Sequence, residues 1–221
     1  MIKAIIFDLD GTLADTLPAM LKALNFMLKR YGIEKIDAEK MRSFINGTVE
    51  DFVTSVLPMD MVRNNGGVQG AIECYEKFYA VTYKETSECI SGINTVLEEL
   101  SKNNLLAILS NKQQEYVDKL AEKLFRKGLF SRIVGMKSGI PGKPNPISMS
   151  RLLTDICVEP NESVYIGDSD VDILTAKNAG MEFIRVSWGY RSAEYLRQHG
   201  ATIIVDDPNE ILNEIRKMNA Q

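Results

Sequence analysis

The sequence predicts an α/β protein, a doubly wound parallel sheet interrupted near its start by an inserted all-helical subdomain. Strand-like and helix-like patterns alternate over most of the 221 residues. The stretch from Leu17 to Tyr83, after a single strand, shows helical patterning alone. Several of the inferred strands end in conspicuous polar residues, as open parallel sheets with a crevice at their carboxyl edge do.

Ile2-Lys3-Ala4-Ile5-Ile6-Phe7 reads as a buried first strand, ended by Asp8-Leu9-Asp10-Gly11-Thr12. Leu17, Met20, Leu21, Leu24, Met27 and Leu28 recur at helical spacing and form one apolar face. Asp37-Ala38-Glu39-Lys40 is a helix start, and Asn64-Asn65-Gly66-Gly67 is a turn before a further helical run. Residues 16–86 are therefore the helical insertion, and 1–15 with 87–221 the α/β core. Met27 and Met41, at helical spacing, are expected to fill its packing. After the insertion, helix 92–103 leads to strand 105–109, and helix 112–127 to a short strand at Arg132-Ile133-Val134. The loop from Gly139 to Pro146 precedes a helix near 147–156. Strand 163–166, helix 171–179 closed by Gly180, strand 182–186, strand 202–205 and a helix from Pro208 complete the chain. This alternation implies a Rossmann-like sheet with helices on both faces.

Composition narrows the function. A chain of 24.8 kDa with 45% hydrophobic and 25% charged residues has the balance of a folded globular protein and can bury a sizeable core. A net charge of −4 and a pI near 5.2 lack the basic field that a general nucleic-acid binder needs. The longest apolar run, Leu105 to Leu109, is far too short to span a bilayer, and the N-terminus lacks the apolar stretch of a signal peptide. Cys74, Cys89 and Cys157 have no metal spacing and cannot all pair, which points to the reducing cytoplasm. His199 is the only histidine, so mechanisms needing two are excluded. Oligomeric state is left open.

The polar residues at the strand ends carry the functional signal. The first strand delivers Asp8 and Asp10, and the second Ser110, Asn111 and Lys112. The loop after the third carries Lys143, and the fourth ends in Gly167-Asp168-Ser169-Asp170-Val171-Asp172. Taken singly, each reads as a turn residue, a helix cap or a solvated lysine. Their recurrence at corresponding ends of neighbouring strands is what those readings do not explain. Two carboxylates about 5 Å apart repel by roughly 3 kcal/mol at an effective dielectric near 20. Asp8, Asp10, Asp168 and Asp172 together therefore call for a cation, and an all-oxygen donor set suits Mg²⁺. A metal facing a lysine and a serine is set up for a phosphate. Gly142-Lys143 is followed by Pro144 and is no Walker A loop, and no G-x-G-x-x-G occurs.

Asp8-Leu9-Asp10-Gly11-Thr12-Leu13, Ser110, Lys143 in Gly142-Lys143-Pro144-Asn145-Pro146, and Gly167-Asp168-Ser169-Asp170-Val171-Asp172 resemble, in order, the four signatures of the haloacid dehalogenase-like superfamily. Ser110-Asn111-Lys112, Gly167 to Met181, and Ser187-Trp188-Gly189-Tyr190 look most like its phosphoglycolate phosphatase-type hydrolases. Asp10 separates the chain from the halogen-removing and phosphonate-cleaving members. One departure is Met136-Lys137-Ser138-Gly139, where relatives often carry acidic residues. The resemblance implies that residues 16–86 are a cap and that the enzyme is a Mg²⁺-dependent phosphatase of a small phosphorylated metabolite. It implies that Asp8 is the nucleophile and that Asp10 is the acid, then the base. Asp8, the Asp10 main-chain carbonyl and Asp168 would hold the metal, with Asp172 behind them. Ser110, Asn111 and Lys143 would bind the phosphoryl group.

Two kinds of rival fit parts of this pattern. A sugar phosphomutase, or a pyrophosphatase or nucleotidase, shares the superfamily's machinery. A signalling receiver domain also uses an acidic pocket with Mg²⁺, Ser/Thr and Lys, but is near half this length and has no long helical insert. Substrate choice is expected to lie in the cap. There Arg42, Arg63 and the Asn46-Gly47-Thr48 loop are available donors, none of them assigned.

Overall fold

The computed structural model describes residues 1–45, 47–58, 67–198, 200 and 202–220. Asn46, Arg63, the turn at 64–66 and His199 lie outside the described residues. The chain divides into two compact units, Met1–Asp15 with Cys89–Gln221, and Thr16–Glu88.

In the larger unit six parallel strands form one sheet: β1 (Ala4–Phe7), β4 (Leu105–Gln113), β5 (Arg132–Met136), β6 (Ser163–Gly167), β7 (Glu182–Val186) and β8 (Ile204–Val205). The short strands β2 (Ala14–Asp15) and β3 (Glu88–Cys89) pair separately. Their order is β5-β4-β1-β6-β7-β8, so the chain winds outward in both directions from β1, as a doubly wound sheet should. β1 is buried along its length because both neighbours and both helical layers cover it. That is why Ala4-Ile5-Ile6-Phe7 shows no polar alternation. The helices are α5 (Ile93–Leu100), α6 (Gln114–Leu124), α7 (Ile147–Asp155), α8 (Asp170–Ala179), α9 (Ala193–Gln198) and α10 (Pro208–Ala220). One face of the sheet buries Ala4, Ile6, Leu109 and Tyr165 against Met149, Leu152 and Leu153 of α7 and Ala176 of α8.

The smaller unit contains α1 (Leu17–Arg30), α2 (Ala38–Phe44), α3 (Val49–Val56) and α4 (Gly67–Thr86) among its described residues. α1 runs along α4, where Phe26 stacks on Phe78 with ring centroids 4.1 Å apart. Tyr75, Tyr79 and Tyr83 form a stacked column, and Phe52 of α3 meets Tyr75 edge-on at 5.0 Å. Met27 and Met41 are fully buried. Asp37 caps α2 by accepting the Lys40 N–H at 2.8 Å. In the larger unit the chain leaves and re-enters side by side, since the Ile90 N–H donates to the Leu13 carbonyl at 3.0 Å.

The predicted α/β fold is observed, with two local differences. β4 continues to Gln113 where the sequence suggests a helix from 112. Its polar end, Ser110-Asn111-Lys112, is held by contacts to the β1 and β5 loops instead of by an apolar face. Helix α9 escapes the sequence reading because Ala193-Glu194-Tyr195-Leu196-Arg197-Gln198 is too short to display a period.

Candidate active site

β1, β4, β6 and the loop after β5 bring their polar residues to one place at the carboxyl edge of the sheet. Asp8 extends β1, its N–H donating to the Ile166 carbonyl at 2.8 Å. Its Oδ1 lies 2.9 Å from the Lys143 Nζ. The same ammonium lies 2.7 Å from Asp172 Oδ1 and donates to the Tyr165 hydroxyl at 2.9 Å. Asp172 accepts further bonds from the Tyr165 hydroxyl at 2.8 Å and the Ser169 hydroxyl at 2.6 Å. It serves as N3 of a capping box whose N-cap is Ser169, and so fixes the start of α8 at the site.

Asp168 is gripped from three directions. The Tyr190 N–H donates to its Oδ2 at 2.6 Å, and the Thr12 hydroxyl to its Oδ1 at 3.3 Å. Gly11 and Gly189 close on it: a Cβ on Gly11 would stand 2.6 Å from Asp168 Oδ2, and one on Gly189 2.2 Å from Asp168 Cβ. The 187–190 loop is tied back by the Trp188 indole, which donates to the Thr12 carbonyl at 3.2 Å. Asp8, Asp168 and Asp172 each present an oxygen within 4.8 Å of the others.

Asp10 points toward the end of β4. The Ser110 hydroxyl approaches its Oδ2 at 3.5 Å, and the Lys112 Nζ its Oδ1 at 2.9 Å. Asn111 faces the other way, donating its side-chain amide to the Lys143 carbonyl at 2.9 Å and accepting the Lys143 N–H at 2.7 Å. Its side chain therefore holds the lysine loop in place. Asp8, Asp10, Ser110, Asn111, Lys143, Asp168 and Asp172 thus all converge. Lys112, already among the strand-end polar residues, joins them at Asp10; Thr12, Tyr165 and the Tyr190 N–H join them without a role assigned from the sequence. Gly189 between two aromatics was the available signal, since a glycine there marks a close approach.

The electrostatics show what is missing from the protein's own charges. Burial, above all, raises the Asp8 carboxyl well above its ordinary value; Lys143 offsets part of this, and Asp172, Asp168 and Asp10 add to it. Burial and then the Asp172 charge push Asp168 up to about 7, against the hydrogen bonds that hold it. At Asp172 burial is overcome by Lys143 and the hydroxyl donors, and its carboxyl is lowered. For Lys143 the burial penalty is likewise outweighed by Asp172 and Asp8, so the ammonium stays charged. One lysine thus serves a group of buried carboxylates, of which two resist ionising. All-oxygen donors at this spacing fit a hard divalent cation.

Residues 5–186 match the Haloacid dehalogenase-like hydrolase family. The phosphoglycolate phosphatase of Aquifex aeolicus is 32% identical over 189 residues, 85% of this chain and 86% of that protein. Phosphoglycolate phosphatase 1 of Pseudomonas aeruginosa is 26% identical over 95% of this chain and 78% of its own length. Among solved structures, a haloacid dehalogenase-like hydrolase from Streptococcus pneumoniae superposes with a TM-score of 0.87 at 26% identity, covering 97% of this chain and 98% of that one. No described helix is long and apolar enough to cross a membrane. The chain belongs to the haloacid dehalogenase-like hydrolases and within them is phosphoglycolate phosphatase-like.

Proposed function

We propose that this hydrolase is a Mg²⁺-dependent phosphatase of a small phosphorylated metabolite, phosphoglycolate phosphatase-like, working through a phosphorylated Asp8. The observation that carries the reading is the pairing of Asp8 and Asp10, two residues apart, with a buried carboxylate cluster served by the single ammonium of Lys143.

In this reading a carboxylate oxygen of Asp8 attacks phosphorus in line, and the alcohol leaves from the opposite side. Asp10 gives its proton to the departing oxygen, then takes one from the water that cleaves the phospho-Asp8 ester. The Ser110 hydroxyl and the Asn111 main-chain N–H bind phosphoryl oxygens, since the Asn111 side chain is committed to Lys143. Lys143 balances the charge that gathers on Asp8 and the phosphoryl group. Asp172 and Tyr165 hold that ammonium in place. The Asp8 and Asp168 carboxylates and the Asp10 main-chain carbonyl would hold Mg²⁺, which supplies charge neutralisation to the phosphoryl oxygens. Residues 16–86 act as the cap that selects the metabolite, hinged near Asp15-Thr16 and Thr86-Ser87.

The test is phosphate release from phosphoglycolate, pyrophosphate, nucleoside monophosphates and sugar phosphates, with and without Mg²⁺. Metal-dependent hydrolysis of a small monoester is expected, and none by Asp8→Asn. Conversion of glucose 1-phosphate to glucose 6-phosphate with little free phosphate would instead identify a mutase. Hydrolysis that persists without any divalent ion would overturn the metal assignment.

A further inference from the structure

Strand β4 carries a second charged group beyond the phosphate-facing serine. Ser110 and Lys112, on either side of Asn111, both reach Asp10, in a stretch of β4 whose register with β5 shifts between Leu109 and Gln113. β1 and β4 are adjacent and in parallel register, Phe7 opposite Ile108. Two side chains of β4 therefore meet at Asp10. Lys112 Nζ lies 2.9 Å from Asp10 Oδ1, with side chains only 8% and 16% exposed. Ser110 Oγ approaches the other Asp10 oxygen at 3.5 Å and also accepts the Lys112 main-chain N–H at 3.2 Å.

We infer that Lys112 is a positioning residue for proton transfer, holding the Asp10 carboxyl over the leaving-group oxygen while Ser110 turns to the phosphoryl group. This rests on the phosphatase reading above. When a phosphoryl oxygen takes the Ser110 hydroxyl, Asp10 loses its weaker contact and keeps the shorter one to Lys112. A general acid works only within about 2.6–3.2 Å of the oxygen it protonates, so a 2.9 Å contact that outlasts the turn of Ser110 helps keep Asp10 on target. Lys112 is suited to the task because its ammonium is confined; a solvated lysine would wander. β4 then sets the distance between the phosphoryl group and the proton donor, as β1 sets that between nucleophile and donor.

The experiment compares kcat/KM, which ends at departure of the leaving group and excludes the phospho-Asp8 hydrolysis common to both substrates, on a simple alkyl phosphate, whose alkoxide leaves poorly, and on p-nitrophenyl phosphate, whose phenolate needs no acid. Asp10→Asn, Lys112→Met and the double variant are measured beside the wild type, with Lys112→Gln as a second replacement should the Met variant fold poorly. Lys112→Met is expected to lower kcat/KM on the alkyl ester by about 10-fold or more and on the aryl ester by no more than about 3-fold. In the double variant Lys112→Met is expected to add less than about 3-fold to the loss caused by Asp10→Asn. Equal losses on both esters, or losses that multiply in the double variant, would overturn the inference and leave Lys112 a plain structural ion pair. If Asp10→Asn itself shows no leaving-group dependence, the acid role of Asp10 falls, and with it the reading on which the inference depends.

Discussion

Replacing Gly189 by alanine tests whether the loop after β7 sets the position of Asp168. Gly189 does not have the positive φ that favours glycine, so alanine fits its backbone. What fails is space: the new Cβ would lie 2.2 Å from Asp168 Cβ and 2.3 Å from its Oδ2, whereas ordinary contact begins at 3.4 Å. Asp168 or the loop must therefore shift by about 1 Å, and the Tyr190 N–H bond to Asp168 at 2.6 Å cannot survive unchanged. Overpacking of this kind costs about 1–3 kcal/mol, which lowers Tm by roughly 3–10 °C in a chain of this size. A misplacement of about 1 Å in a group that organises the chemistry costs on the order of 100-fold in rate. The assay is kcat with calorimetric Mg²⁺ titration, and Gly32→Ala is the control. Gly32 has φ +69° and nothing within 4 Å of a Cβ, so its replacement introduces backbone strain alone. It should lower Tm and leave Mg²⁺ affinity intact. Gly189→Ala with kcat and Mg²⁺ affinity within about 3-fold of wild type would refute the reasoning from misplacement.

Lys143→Met removes the ammonium shared by Asp8, Asp172 and Tyr165. It should cost about 3–5 kcal/mol in urea unfolding, since Asp172 is left as a buried charge without its cation. Arg185 presents the opposite case. It is fully buried on β7, its guanidinium has no hydrogen-bond partner among the described residues, and burial lowers it to about 10 despite nearby Asp168 and Asp172. Arg185→Met should therefore raise stability by about 1–3 kcal/mol, again read by urea unfolding. The pH dependence follows from Asp168, raised to about 7 first by burial and then by Asp172. Above about pH 4 the unfolded chain has released a proton that the folded, metal-free protein still binds, so its stability falls as pH rises toward 7. Mg²⁺ must displace that proton, so the metal-induced rise in Tm should grow between about pH 5.5 and 8. An increment that shrinks over this range would contradict it.

Much of the candidate site was legible because its side chains stand at or just beyond the ends of strands. Asp8, Asp10, Ser110 and Asp168 follow patterned apolar runs, Lys143 stands in the loop after one, and a parallel sheet gathers such positions whatever their separation in sequence. What stayed hidden acts through the backbone or through residues that look apolar. Asp168 is fixed by the Tyr190 N–H and the Thr12 hydroxyl, groups 22 and 156 residues away that composition cannot flag. Tyr165 sits within Ser163-Val164-Tyr165-Ile166 and reads as core, yet its hydroxyl joins Lys143 to Asp172. The Asn111 side chain gives no sign in the sequence that it matches the N–H and carbonyl of Lys143 across 32 residues. In the fold, β4 was read too short because Ser110-Asn111-Lys112 breaks the apolar pattern that marks a strand.

The central claim is that Asp8 becomes covalently phosphorylated in each turnover. Acid quench of the enzyme during hydrolysis of a ³²P-labelled substrate reads the covalent label, and in a parallel quenched sample reduction with tritiated borohydride, which expels the phosphate and leaves homoserine, followed by peptide mapping, locates it. ³²P should appear on the quenched enzyme on a time scale no slower than turnover, and tritium in the reduced sample should map to position 8. Label at another residue, or product formation with no labelled enzyme at any quench time, would contradict it.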